Sequence, residues 1–150
     1  MHLAQLNIGR LLKPIDHPQI AEFVNNLDQI NALAESSPGF VYRMQDDSGN
    51  ATHIKVFDDP LVIANMSVWE SVEALKDFTY RSGHVEFMKK RAAWFEKPTS
   101  NYLVLWWIRV GHRPTLTEAK ERLAHLDRHG ATSHAFNFRN VFNYRASDRD

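Results

Sequence analysis

Residues 102–110, YLVLWWIRV, restrict the fold more than any other stretch of this chain. Read as a strand, they place Tyr102, Val104, Trp106, Ile108 and Val110 on one side. Leu103, Leu105 and Trp107 fall on the other, until Arg109 interrupts it. A strand apolar on both sides is covered on both sides. Helices packed on one face of a sheet leave the other face open. The expectation is therefore a second layer, most simply the same sheet of a second copy. That gives a two-fold homodimer through the sheet face.

The remaining chain supplies the partners of that strand. From His2 to Leu12, Ala4, Leu6 and Ile8 alternate with Leu3, Gln5, Asn7 and Gly9, which predicts a first strand. Asp16 is the expected cap of a helix carrying Pro18 in its first turn, with an apolar stripe of Ile20, Phe23, Val24, Leu27, Ile30 and Ala34. Residues 36–39, SSPG, end it. A strand over 40–45 follows, then a polar turn at 46–50, and extended structure resumes at 53–57. Residues 61–66, LVIANM, predict the third strand. Ser67-x-x-Glu70 has the pattern of a capping box opening a helix to about Tyr80, and Ser82 caps a second short helix to Phe95. Beyond the 102–110 strand, Thr115-x-x-Glu118 opens another helix and Gly130 suits its end. Phe136 and Phe138 alternate in a short last strand, and residues 145–150 form a polar frayed tail. The order predicts an α+β fold, a ferredoxin-like antiparallel sheet with helices on one face, in a single domain over 1–150.

Composition narrows the function classes. With 150 residues the chain buries enough surface to need no staple. It has no cysteine, which excludes disulfides, thiolate nucleophiles and cysteine-held metal clusters and fits a reducing, cytoplasmic compartment. Lys and Arg number 18 and so do Asp and Glu, so no excess of cations exists to neutralise a phosphate backbone, and no nucleic-acid partner is expected. No apolar run approaches the roughly 20 residues a membrane helix needs, and the N-terminus lacks the pattern of a signal peptide. No P-loop, dinucleotide fingerprint or G-x-S-x-G is present.

The order of elements, together with Ser67-Val68-Trp69-Glu70-Ser71, Tyr80 with His84, Trp94-Phe95, Trp106-Trp107, Pro114-Thr115 with Glu118-Ala119, and Ala135-Phe136 with Phe138, resembles the dimeric α/β-barrel superfamily. That superfamily contains antibiotic-biosynthesis and haem-degrading monooxygenases. The nearer resemblance is to an uncharacterised domain-of-unknown-function family within it. The resemblance spans nearly the whole chain. It implies the fold and a homodimer, and it implies activity only loosely, because one fold hosts many functions. Haem-degrading members use a helix histidine as iron ligand, for which His84 is the counterpart, and an asparagine near the first strand, for which Asn7 is one.

The candidate site gathers around the helix before residue 95. His84, Phe87 or Met88, Arg91 and Trp94 are three to four residues apart and share one side of a helix. A neutral imidazole at His84 suits a general base or an iron ligand; the alternative is a histidine bonded to backbone or water near the helix start. Arg91 suits a carboxylate held bidentately. Tyr80 and Arg43 join His84 as candidate catalytic residues, Arg43 being a charge on an otherwise apolar strand that is either paired or facing a cavity. Asn7, Phe87, Met88, Arg91, Trp94 and Trp107 are candidate substrate-binding residues. Trp106 and Trp107 face opposite ways, so one belongs to a pocket and the other to the dimer core. Asn65 is a polar residue in a strand interior that orients a ligand or satisfies a neighbour. His125 and His129 have chelating spacing, but a histidine-rich helix end is the simpler account, and no metal is expected.

These residues predict a small apolar pocket between sheet and helices. Three functions fit it: a monooxygenase-like oxidoreductase acting on a small aromatic or polycyclic molecule, without a cofactor; a non-catalytic small-molecule-binding protein; and a haem-binding or haem-degrading protein using His84.

Overall fold

The structure is a computed structural model and describes residues 1–45, 57–81 and 88–144. Four strands, β1 (His2–Arg10), β2 (Phe40–Arg43), β3 (Val62–Trp69) and β4 (Leu103–Ile108), form one antiparallel sheet in the order β2-β3-β1-β4. The helices are α1 (Ala21–Glu35), α2 (Val72–Arg81) and α3 (Leu116–His129). The β1-α1-β2-β3-α2-β4 succession and this strand order are the ferredoxin-like arrangement expected from the sequence. No helix among the described residues is long and apolar enough to cross a membrane. The expected turn at 46–50, the extended segment at 53–56, the Ser82 cap and the tail at 145–150 lie outside the described residues.

Register decides which residues share a face. Ala4 pairs with Val68 and Trp106, and Leu6 with Met66 and Val104. Paired residues point the same way, so these six lie on one side of the sheet. They form a core with Ala119, Leu123 and Leu126 of α3. Leu3, Trp69 and Leu105 point the other way and pack with Ala34 of α1 and Val72 and Leu75 of α2. The two crossover helices therefore share one face, as expected, and the third helix covers the opposite face. The two-sided apolar character of β4 is met inside one chain. Within the chain, α3 packs on the face of Ala4, Leu6 and Trp106. Trp106 accordingly turns to α3, and its Nε1 donates to Glu118 Oε2 at 2.8 Å.

Local chemistry explains the element boundaries, and two expectations need correction. His17, and not Asp16, caps the 3-10 turn Pro18–Ile20 that leads into α1: its Nδ1 accepts from Gln19 N at 3.0 Å, and α1 itself follows Ile20 without a side-chain cap. Ser67 does not open a helix. Ser67, Val68 and Trp69 continue β3, because the Ser67 hydroxyl is taken by Gln5 of the neighbouring strand and by Trp69 of its own, and Ser71 Oγ instead accepts from Ala74 N at 3.1 Å. Thr115 caps α3 as expected, accepting from Glu118 N at 3.1 Å. Gly130 ends it with φ of 74°, a conformation glycine adopts without Cβ strain.

The helix expected to reach Phe95 stops earlier. Lys89 is still helical, a 3-10 turn covers Arg91–Ala93, and Phe95 then bridges Leu11 just beyond β1. Leu12 N donates to Trp94 O at 2.8 Å and Glu96 N to Arg10 O at 2.9 Å, which clamps this segment to the end of β1. The expected last strand reduces to a single bridge, Phe136 to Leu105 on the outer edge of β4.

Candidate functional site

A cavity of ≈ 260 Å³ lies between the sheet and the face of α1 and α2. Its floor is made by alternate residues of two central strands: Gln5, Asn7 and Gly9 of β1, and Ile63, Asn65, Ser67 and Trp69 of β3. Period two brings these polar side chains to one side, while Ala4, Leu6, Ala64, Met66 and Val68 fill the other. The roof comes from Phe23, Leu27, Ile30, Asn31 and Ala34 of α1 and from Leu75, Phe78, Thr79 and Tyr80 of α2. The segment clamped to β1 closes one end with Met88, Arg91, Trp94 and Phe95. Most of the wall is apolar and its polar groups converge from the floor, the usual composition of a small-molecule site.

The floor holds a fixed hydrogen-bond network. Gln5 Nε2 donates to Asn65 Oδ1 at 2.7 Å and to Ser67 Oγ at 2.8 Å, and Trp69 Nε1 donates to the same Ser67 oxygen at 2.9 Å. Gln5 and Ser67 are 5% and 7% exposed, so that part of the network is shielded from water, whereas Asn65 at its edge is exposed. Because the Asn65 oxygen is occupied, its amide nitrogen is the group left for the cavity. The arrangement is an apolar box with amide donors at its base, able to orient a planar molecule and to bond an oxygen that gains negative charge.

Two arginines line the box and differ in kind. Arg43 Nε donates to Glu35 Oε1 at 2.7 Å, so its charge is compensated. The Arg91 guanidinium lies 4.8 Å from the Phe95 ring centroid and 5.5 Å from that of Tyr102. Its Nη2 is buried without a hydrogen-bond partner. Burial pushes the Arg91 pKa down, against a smaller opposing effect of Tyr102. Gly9 makes room for it: a Cβ there would sit 2.7 Å from Phe95 Cδ1 and 3.3 Å from Arg91 Nη2.

The structure brings together Asn7, Arg43, Tyr80, Met88, Arg91 and Trp94, six of the residues expected from the sequence. Tyr80 is at the rim, 57% exposed, with its ring 5.8 Å from that of Phe138. Trp94 is fully buried against Phe23. His84 and Phe87 lie outside the described residues. Trp107 is a correction: it does not line the cavity. Its Nε1 donates to Phe142 O at 2.7 Å and its ring packs on Tyr144 and Phe136, so the chain returning after α3 covers it, while Leu103 at the other end of β4 does line the cavity.

Gln5, Ser67, Trp69 and Phe95 were missed as site residues. Gln5 had a signal, since it shares the period-two face of Asn7. Ser67 and Trp69 had none while they read as a helix start. At the far end of α3, His125 stands 4.5 Å, ring to ring, from both His129 and His134. Among the described residues no three His, Cys, Asp or Glu side chains are arranged to hold a metal ion. Among the described lining residues none is a histidine, so an axial nitrogen for haem would have to come from outside them.

With this geometry in place, comparison with known proteins is informative about the fold. Residues 2–150 match the model of a family described as Domain of unknown function (DUF3291). No curated protein matches the sequence. Among solved structures, the chain is similar to SnoaB, described as a cofactor-independent oxygenase from Streptomyces nogalater, at 17% identity and a TM-score of 0.52, covering 72% of this chain and 93% of that one. It is similar to a conserved protein from Methanosarcina mazei Go1 at 13% identity and a TM-score of 0.54, covering 73% and 94%. A protein of unknown function from Nitrosomonas europaea, NE2512, aligns at 13% identity and a TM-score of 0.52 over 76% and 95%. At such identities the likeness establishes the fold. It agrees with the resemblance to the dimeric α/β-barrel superfamily read from the sequence.

Proposed function

The chain belongs to the DUF3291 family, and we propose that it is a monooxygenase-like enzyme acting on a small aromatic or polycyclic molecule in the cavity above Gln5, Asn65 and Ser67. One observation carries this reading: a largely apolar box of ≈ 260 Å³ whose floor is a hydrogen-bonded amide and hydroxyl network, buried at Gln5 and Ser67, with the Asn65 amide nitrogen left over. The fold shared with a cofactor-independent oxygenase supports it.

The chemistry suits an electron-rich ring system with an acidic CH2 group. Loss of one C–H proton gives a carbanion whose charge spreads onto a carbonyl oxygen. The Asn65 amide donates to that oxygen and stabilises it. The carbanion passes one electron to dioxygen, and the resulting pair recombines by forming a C–O bond. The peroxide takes a proton, its O–O bond breaks, and the second hydrogen of the carbon leaves with the departing oxygen as water. The balance is CH2 plus O2 giving C=O plus H2O, with the substrate as the only reductant. Removal of the first proton is assigned to His84, the base expected from the sequence, with Tyr80 at the rim.

A second reading has an observation of its own. The described part of the cavity wall carries no carboxylate and no imidazole, which favours a non-catalytic binding protein in the same box. Oxygen uptake with anthrone under 18O2 separates the two. Anthraquinone carrying one labelled oxygen, with the rate lowered about a hundredfold in Asn65→Ala, supports the enzyme. Quenching of tryptophan fluorescence by anthrone without oxygen uptake supports the binding protein. A haemin titration giving a Soret shift abolished in His84→Ala replaces both with the haem reading.

A further inference from the structure

We infer that the ligand of this cavity is an anion, a ring molecule bearing an ionised oxygen acid, and that Arg91 is the residue that selects it. The inference rests on the reading of the cavity as a ligand site and adds the class of ligand.

Among the described residues Arg91 has no counter-ion, whereas Arg10, Arg43 and Lys90 each pair with an acid within 2.7 Å. Its Nη2 is buried and unpartnered. A half-buried guanidinium with an orphan N–H is destabilising unless something supplies the missing charge and acceptor. The fold nevertheless holds it in place. Phe95 and Tyr102 flank it, the segment carrying it is clamped to β1, and Gly9 leaves the room that any side chain would fill. Arg91 also lines a second recess of ≈ 160 Å³ that shares Gly9 and Tyr102 with the main cavity, so it stands at the partition between the two.

An oxyanion of the ligand supplies both things Arg91 lacks. Guanidinium binds a carboxylate through two parallel N–H···O bonds, so charge and geometry are read together. The ring system then lies in the apolar box, with the amide floor at its other edge. Arg43 cannot substitute, because Glu35 already neutralises it.

The test is calorimetric binding of 2-naphthoate and 2-naphthamide, which have nearly the same shape and differ in charge. The wild-type protein is expected to bind naphthoate at least tenfold more tightly, and Arg91→Gln to bind both alike. Arg43→Gln keeps the preference. Gly9→Ala, which pushes on Phe95 and Nη2, reduces the preference without removing the charge, and serves if Arg91→Gln does not fold. Equal affinity for the two probes in the wild-type protein overturns the inference, as does a naphthoate preference that survives Arg91→Gln, or no binding of either. Oxygen uptake with neutral anthrone is read separately. Anthrone oxidation without naphthoate preference removes the anion reading and leaves the oxygenase. Naphthoate preference without anthrone oxidation does the reverse.

Discussion

The two faces of the sheet use the same strands for opposite purposes. On the side of α3, Ala4, Leu6, Val104 and Trp106 are at most 1% exposed and every described side chain near the centre is apolar. On the side of α1 and α2, the central positions of β1 and β3 are Gln5, Asn7, Asn65 and Ser67, above a cavity. A chain selected only for stability would fill both sides like the first. Polar side chains at the centre of a sheet have to be satisfied, and here Ser67 satisfies two donors at once. The difference marks one face as the structural one and the other as the one where binding is built.

The comparison breaks most readily on the dry face. Trp106→Ala removes a fully buried indole and takes from Glu118 Oε2 its indole donor; unfolding in urea is expected to show a loss of about 3–5 kcal/mol. If that variant is nearly neutral, α3 does not seal this face. On the cavity face, Gly9→Ala is expected to cost about 1–3 kcal/mol by overpacking against Phe95, read in the same unfolding experiment. Ser67→Ala orphans the Trp69 indole and removes one of the two acceptors of the Gln5 amide, and is expected to cost about 1–3 kcal/mol, whereas Asn65→Ala, whose side chain meets the cavity, leaves the urea midpoint almost unchanged while anthrone turnover falls. Equal destabilisation by the last two would mean that Asn65 is structural.

The smallest effect concerns pH and the far end of α3. Burial lowers the His125 pKa below 6.5, and the neighbouring His134 and His129 lower it further. The unfolded chain then binds the proton more readily than the folded one. Stability from this group is full above pH 6.5 and is lost as pH falls from there through the lower folded value. Urea midpoints measured from pH 7.5 to 5 are expected to decline, and the decline is expected to be shallower in His125→Asn. A profile unchanged by the substitution would assign the dependence to other groups.

Much of this division was written in the sequence. Alternation in β1 already separated Ala4, Leu6 and Ile8 from Gln5, Asn7 and Gly9, and the two-faced 102–110 strand already required cover on both sides. Amphipathic periodicity predicts that residues 116–129 bury a stripe, but it carries no information about which side of a sheet receives it. The cover that α3 gives to the side of Trp106 was therefore not legible. Ser67 was misread for a related reason. Ser-x-x-Glu is a local pattern, and the contacts that overrule it come from Gln5, 62 residues away in sequence. Arg91 and Trp94 were legible as site residues through their helical spacing, although the segment bearing them turns out to be a 3-10 turn clamped to β1. The isolation of Arg91 was not legible, since a missing partner is a property of three dimensions.

The bridge between Leu105 and Phe136 has a consequence for handling the protein. β4 is the outermost strand on its side of the sheet, and LVLWWI is apolar on both faces with strong strand preference. Leu105 N and O both bond to Phe136, at 2.8 and 2.9 Å, so the returning chain blocks the middle of that edge. A version shortened before residue 131 would bare a hydrophobic strand with free backbone groups, a template on which further chains add. Residues 131–144 thus act as a guard against self-association, and expression trials that trim them are expected to yield aggregate where the longer chain stays dispersed.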